Sequence, residues 1–208
     1  KKIKYQMIKK IDNFLNEEEL RLAHNYWLVR EPGLEACGQC NDSVAVYGDP
    51  LSETFLKTKK SLVEKAFGEE LLPTYSFSRM YYKGGELKRH SDRPSCEVSV
   101  TLNIFADNTN WPIWFHKLDM SKPTDPNTTN YVEDPNAKPI SLITKPGSAA
   151  AYEGCAYSHW REPYSGEKCM QVFLHYVRAK GRYTSFAMDG RKYFGQHKQQ
   201  AIKNVWAQ

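Results

Sequence analysis

Apolar positions change their period once along this chain, and the change separates a helical first third from a stranded remainder. Near the N-terminus a short strand is predicted, followed by Leu20, Ala23, Trp27 and Leu28 at helical spacing. Asn16 with Glu19 three residues later has the makings of a capping box, in which each side chain satisfies a backbone N–H left open by the first turn. A second helix is predicted roughly from Leu51 to Phe67, with Leu51, Phe55, Leu62 and Ala66 in register, Asp49-Pro50 as its start and Gly68 as its stop.

After Pro73 the period becomes two. Thr74 to Tyr82 places Tyr75, Phe77, Arg79 and Tyr81 on one face. Glu97 to Phe105 places Val98, Val100, Leu102 and Ile104 on one face and Ser99, Thr101 and Asn103 on the other. Ile140–Thr144, Ser148–Tyr152 and Lys168–Arg178 are further predicted strands. Helices followed by many strands, without regular alternation, predict an α+β chain built on a mainly antiparallel sheet or barrel. The stretch from Asp119 to Pro139, rich in Pro, Asn, Asp and Thr, reads as a long functional loop or insert. No linker divides the chain, so residues 1–208 are expected to form a single domain.

Composition narrows function only a little. Charged residues make up 25% and apolar residues 40%, as in ordinary globular proteins. A net charge of +5 with no run of five basic residues does not favour a nucleic-acid partner. No apolar stretch approaches ~18 residues, so no membrane partner is expected. The opening Lys1-Lys2-Ile3-Lys4-Tyr5 lacks the apolar run of a signal peptide, and five cysteines make no even disulfide framework. A cytoplasmic setting is therefore expected. Cys37-Gly38-Gln39-Cys40 has neither the βαβ context of a redox motif nor a second pair for zinc, and reads as a plain loop.

Candidate chemistry begins at His90-Ser91-Asp92, after the turn Lys83-Gly84-Gly85. One spacer in extended backbone puts both side chains on the same face. Two His and one carboxylate on one face of an octahedron leave open positions suited to non-haem Fe(II) oxygen chemistry. His-x-Asp alone reads equally as a turn with a polar His and a capping Asp, so the third ligand decides. Of six His, His24 falls in the first helix, and His116 and His197 lie in loop-like or polar surroundings. His159 follows the turn-and-strand run Lys145-Pro146-Gly147 to Tyr152 and opens His159-Trp160-Arg161-Glu162-Pro163. Lys168, the ninth residue after His159, shares a face with Met170, Val172, Leu174 and Tyr176. Read as inward, that face makes an unpaired lysine expensive and calls for an anionic ligand; the alternative is a lysine at the strand start reaching water. Arg93, Trp160 and Arg161, beside the candidate ligands, could shape a substrate pocket; the alternative is packing for Trp160 and exposure for the arginines.

Four stretches together resemble the 2-oxoglutarate and Fe(II)-dependent dioxygenase superfamily, in its prolyl 4-hydroxylase-like branch. They are Ile11 to Glu19, Tyr81-Tyr82-Lys83-Gly84-Gly85 with His90-Ser91-Asp92, Lys145-Pro146-Gly147 to Tyr152, and His159-Trp160-Arg161-Glu162-Pro163 to Lys168. The resemblance implies a distorted double-stranded β-helix (a jelly-roll, cupin-like barrel) with supporting N-terminal helices. It implies His90, Asp92 and His159 as iron ligands, with Lys168, Tyr81, Thr101 and Asn103 around 2-oxoglutarate. Fe(II), 2-oxoglutarate and, as an accessory, ascorbate are the implied cofactors. The implied activity is hydroxylation of a C–H bond, with a prolyl residue in a peptide or protein as the favoured substrate. A small molecule such as a free amino acid is the alternative, and a non-catalytic β-barrel binding module a third reading. Asp92 argues against the halogenase variant, in which a small residue opens that position. Asn110 to Phe115 departs from the family's usual Gly-Gly-x-Leu, near the expected substrate mouth.

Overall fold

The computed structural model describes residues 7–108, 110–124 and 130–196. His197 and Trp206 lie outside the described residues.

The first helix forms as its sequence dictates. Following β1 (Ile8–Ile11), α1 (Glu17–Arg30) starts from Asn16, whose side chain accepts from the Glu19 N–H while Glu19 accepts from the Asn16 N–H. Its buried residues are Ala23 and Trp27, whereas Leu28 is 43% exposed and does not share their face as expected. The predicted second helix is two: α2 (Pro50–Thr58) and α3 (Lys60–Phe67), broken at Lys59, which leaves helical geometry at φ −96°, ψ 1°. Gly68 closes α3 with φ +70°, a left-handed cap that glycine adopts without a Cβ penalty.

The strands are β2 (Glu35–Ala36), β3 (Ser43–Tyr47), β4 (Leu71–Tyr82), β5 (Leu87–His90), β6 (Val98–Ala106), β7 (Ile113–Pro123), β8 (Tyr131–Glu133), β9 (Ile140–Leu142), β10 (Ala149–Tyr152), β11 (Tyr157–Arg161) and β12 (Lys168–Arg178). β4 starts earlier than the period change suggests and runs through Pro73. That proline pairs with Tyr176 where the β4–β12 register shifts, a place that tolerates a missing donor. The expected long loop after Asp119 is partly strand, since β7 extends to Pro123 and pairs with β8.

Two antiparallel sheets result. One has seven strands in the order β1-β10-β6-β12-β4-β3-β2; the other runs β5-β11-β7-β8, with β9 also on β7. The expected α+β barrel is observed. One face of the seven-stranded sheet carries Val98, Val100, Leu102, Ile104, Met170, Val172 and Leu174 and packs against Phe14, Leu15, Trp27, Leu56 and Val63 from the helical layer. Its other face looks across at the smaller sheet. There Ala150 and Tyr152 meet Ile113 and Phe115, and Tyr81, Cys169 and Phe173 meet Leu87 and Trp111. The site lies on this inner side.

Candidate metal centre

Strand pairing brings the two histidines together. β11 pairs with β5 so that His159 is directly opposite His90, with ring centroids 4.4 Å apart. Between His159 and Arg161 the register shifts, so that Arg161 pairs with Leu87 and the extra residue falls on β5. Such bulges re-aim side chains beside functional sites. Asp92 lies just past the end of β5, and its N–H donates to the Gly154 carbonyl in the turn between β10 and β11. No side chain could replace that glycine undisturbed: a Cβ there would lie 2.1 Å from Asp92 Oδ2 and 2.4 Å from the Cys96 carbonyl oxygen.

Ligand-capable atoms of His90, Asp92 and His159 all lie within 4.8 Å of one another. Asp92 Oδ1 is 3.7 Å from His90 Nε2 and 3.6 Å from His159 Nε2. On the far side of each ring, Nδ1 reaches a backbone carbonyl two residues back: Lys88 for His90 at 2.6 Å, Tyr157 for His159 at 3.2 Å. An Nδ1–H donated to a carbonyl leaves Nε2 as the lone-pair nitrogen, the orientation that metal-binding histidines take. Burial lowers the His90 ring to about 3, helped by the neighbouring His159, and burial lowers His159 to about 4. Both imidazoles are thus held neutral, as ligation requires. Asp92 Oδ2 accepts from Ser99 Oγ at 2.7 Å, and Ser99 Oγ also contacts His175 Nδ1 at 2.9 Å. Tyr152 and Phe115 floor His159, with Tyr152 4.8 Å from each between ring centroids.

A second set, Asp92, Cys96 and His175, is equally close. Its atoms are already engaged, however: His175 Nδ1 with Ser99, and Cys96 Sγ with Tyr75 Oη at 3.1 Å.

The remaining predicted site residues divide. Tyr81, Thr101 and Asn103 are buried on the inner side. Tyr81 Oη accepts from Arg79 Nη1 at 2.9 Å, Thr101 Oγ1 donates to Gln171 Oε1 at 3.1 Å, and Asn103 Nδ2 donates to the Thr144 carbonyl at 2.7 Å. Arg161 is 2% exposed and shares the inner face of β11 with His159. Trp160 lies on the opposite face, stacked on Trp114 at 6.1 Å with Arg89 4.0 Å above its ring. Arg93 is committed to Asp189 through both Nη atoms, at 3.0 and 3.2 Å.

Lys168 is not brought to this set. On β12 the inward residues are Cys169, Gln171, Phe173 and His175, whereas Lys168 shares the helix-covered face with Met170 and Val172. Its Nζ donates to Glu31 Oε2 at 2.8 Å, and its side chain is 36% exposed. The expectation of an inward lysine took the apolar face of β12 for the face lining the pocket. Ser99, Gly154 and His175 were not anticipated as site residues. The polar alternation of β6 does signal Ser99, while nothing local in the sequence marks the other two.

No protein-family profile matches the chain, and no curated protein matches it by sequence. Solved structures do match by shape. One is the "non-heme alpha ketoglutarate dependent epimerase SnoN from nogalamycin biosynthesis", with a TM-score of 0.64 at 9% identity over 84% of this chain and 79% of that one. A Pseudomonas putida prolyl-4-hydroxylase gives 0.61 at 12% identity over 85% and 95% of the two chains. An oxidoreductase of the 2OG-Fe(II) oxygenase family from Burkholderia pseudomallei gives 0.61 at 15% over 84% and 85%. The chain has their fold, the double-stranded β-helix. Among the described residues no helix is long and apolar enough to cross a membrane.

Proposed function

We propose that this protein is an Fe(II)- and 2-oxoglutarate-dependent oxygenase that hydroxylates a C–H bond of its substrate. One observation carries the reading. Two neutral imidazoles, His159 buried and His90 half-buried, and one carboxylate converge on a single point at the wall of a double-stranded β-helix, each oriented by its own backbone or hydroxyl partner. Three ligands of this kind fit an iron that keeps open positions for other ligands, and their intact supports speak against a barrel that merely binds.

His90, Asp92 and His159 would hold the metal. The bound iron with 2-oxoglutarate would couple decarboxylation of the keto acid by O2, giving succinate and CO2, to oxidation of the substrate. Around it the chain supplies orientation and dryness. The Lys88 and Tyr157 carbonyls fix the rings, Ser99 fixes the carboxylate, and Tyr152 with Phe115 keeps water from the inner side of His159.

A prolyl residue in a peptide or protein is the first substrate class to test, because the P. putida prolyl-4-hydroxylase superposes over 95% of its own length. A small molecule is the second. It is supported by SnoN and by HygX from Streptomyces hygroscopicus, whose structure carries nickel, 2-oxoglutarate and hygromycin B.

The test is succinate release by anaerobically Fe(II)-loaded protein given 2-oxoglutarate and O2, with and without a proline-rich peptide. Succinate that depends on iron and disappears in His159→Ala is expected. No iron binding and no succinate under any condition sinks the oxygenase reading. Succinate without stimulation by peptide removes only the prolyl substrate.

A further inference from the structure

Arg161 is a buried cation with two of its three guanidinium nitrogens lacking a hydrogen-bond partner. Its Nη1 donates to the Trp111 carbonyl at 2.7 Å, and its guanidinium lies 4.6 Å from the centroid of the Trp111 ring. Nε and Nη2 are buried without a hydrogen-bond partner, and no carboxylate pairs with Arg161 among the described residues. An unpaired buried charge is costly, and so is each unsatisfied donor. Nε–H and the outer Nη2–H point in parallel from one edge of the guanidinium, the edge that grips a carboxylate through two bonds at once. Trp111 pins the other edge.

Position adds to chemistry. Arg161 is two residues beyond His159 on the same face of β11, so their Cα atoms are about 6.6 Å apart at ~3.3 Å per residue. Both side chains therefore leave β11 on the inner side, so that a small dicarboxylate with one end at His90, Asp92 and His159 has the arginine on the same wall of the barrel. Cys169 stands inward on the neighbouring end of β12, too short to fill the space and unable to offer a positive charge.

Resting on the oxygenase reading above, we infer that Arg161 binds the distal carboxylate of 2-oxoglutarate through Nε and Nη2, in place of the expected Lys168. The other inward arginine is less fit for the task. Arg79 spends Nη1 on Tyr81 Oη and Nη2 on Gln39 Oε1 at 2.6 Å, and lies over the rings of Phe77, Tyr81 and Phe173. Its carboxylate-gripping edge is therefore half occupied.

The experiment is calorimetric titration of the Mn(II)-loaded protein with 2-oxoglutarate and with 2-oxovalerate, which has a methyl group where 2-oxoglutarate has its distal carboxylate. Wild type is expected to prefer 2-oxoglutarate. Arg161→Met should weaken 2-oxoglutarate about 100-fold, the worth of a charge-assisted pair, while barely changing 2-oxovalerate. Arg161→Lys keeps the charge without the fork and should lose about 10-fold; it carries the test should the methionine variant fail to fold. Retained Mn(II) affinity reports a formed metal site in either variant. If wild type prefers 2-oxoglutarate and both variants keep that preference, the assignment is wrong, all the more if Lys168→Met or Arg79→Met abolishes it. A wild type that binds Mn(II) but treats the two keto acids alike defeats the 2-oxoglutarate reading itself, without recourse to any variant.

Discussion

The two faces of the seven-stranded sheet are both buried, yet they are made differently. On β6, Val98, Val100, Leu102 and Ile104 look toward the helices, and Ser99, Thr101 and Asn103 look into the barrel. On β12, Met170, Val172 and Leu174 alternate in the same way with Gln171, Phe173 and His175. The apolar face gains its stability by removing hydrocarbon from water, and any side chain of similar volume serves. The inner face holds imidazoles, hydroxyls, amides and guanidiniums, each of which needs a specific partner. One face therefore tolerates substitution and holds the fold up; the other is exacting and holds the chemistry. Four measurements test that division.

Acid should separate the faces most. Burial holds His90, His159 and His175 below the ordinary 6.5, at about 3, 4 and 4. Each stays neutral in the folded, metal-free protein and takes up a proton only on unfolding once the pH drops below 6.5. Stability is thus full above that value and falls as pH drops from 6.5 toward 4, before carboxylates enter their own range. At about 1.4 kcal/mol per pKa unit the loss amounts to several kcal/mol. Urea unfolding of the metal-free protein across this window measures it, and a flat profile between pH 6.5 and 5 would contradict the burial of these rings.

Leu102→Ala attacks the other face. Leu102 is fully buried against the helical layer, so the change should cost about 2–5 kcal/mol of stability. At pH 7 it should leave Mn(II) affinity within about two-fold, because the alanine variant disturbs nothing that Asp92 or the two His rings touch. A matching loss of metal affinity would show that the faces are coupled. Gly154→Ala is the converse: the added Cβ collides with Asp92 Oδ2, and Asp92 must move. We expect about a 10- to 100-fold loss of metal affinity, the usual cost of disturbing what orients a ligand. Unchanged affinity would mean that Asp92 is not a ligand.

The division also explains what could be read from sequence alone. Capping at Asn16, the period of β6 and the extent of β12 are local properties, and the structure reproduces them. His90, Asp92 and His159 stand out in the sequence because their residue types and order are restrictive, and the structure brings their ligand-capable atoms together. Gly154 supports Asp92 only through a contact between distant segments brought together by the barrel, whereas Ser99 lies seven residues on and is reached by the turn between β5 and β6. The sequence points to Arg161 only through its place beside His159, because nothing in one sequence tells which donors of a buried arginine are already taken. For Lys168 the expected inward direction and the structure differ for a physical reason. Alternation says which residues share a face, but where both faces are buried it does not say which one contains the site.

Lys168→Met tests that last point with the smallest effect expected. The lysine pairs with Glu31 at a partly exposed site, 36% for its side chain and 21% for that of Glu31. Pairs of this kind are worth about 0–1 kcal/mol, because water screens the charges and holding two long side chains costs entropy. Methionine keeps most of the stem packed beside Tyr82, so the packing loss is small as well. Stability should fall by less than about 1 kcal/mol, and the preference for 2-oxoglutarate over 2-oxovalerate should survive intact. An anchoring role would need Nζ to leave Glu31, pass the edge of β12 and enter the barrel beside Cys169. The alternation of the strand end opposes that movement, since on the β4 side Lys168, Cys169 and Met170 pair in unbroken register with Tyr82, Tyr81 and Met80. Loss of the keto-acid preference in this variant would therefore indict the register of β12, and with it the assignment of the inner face.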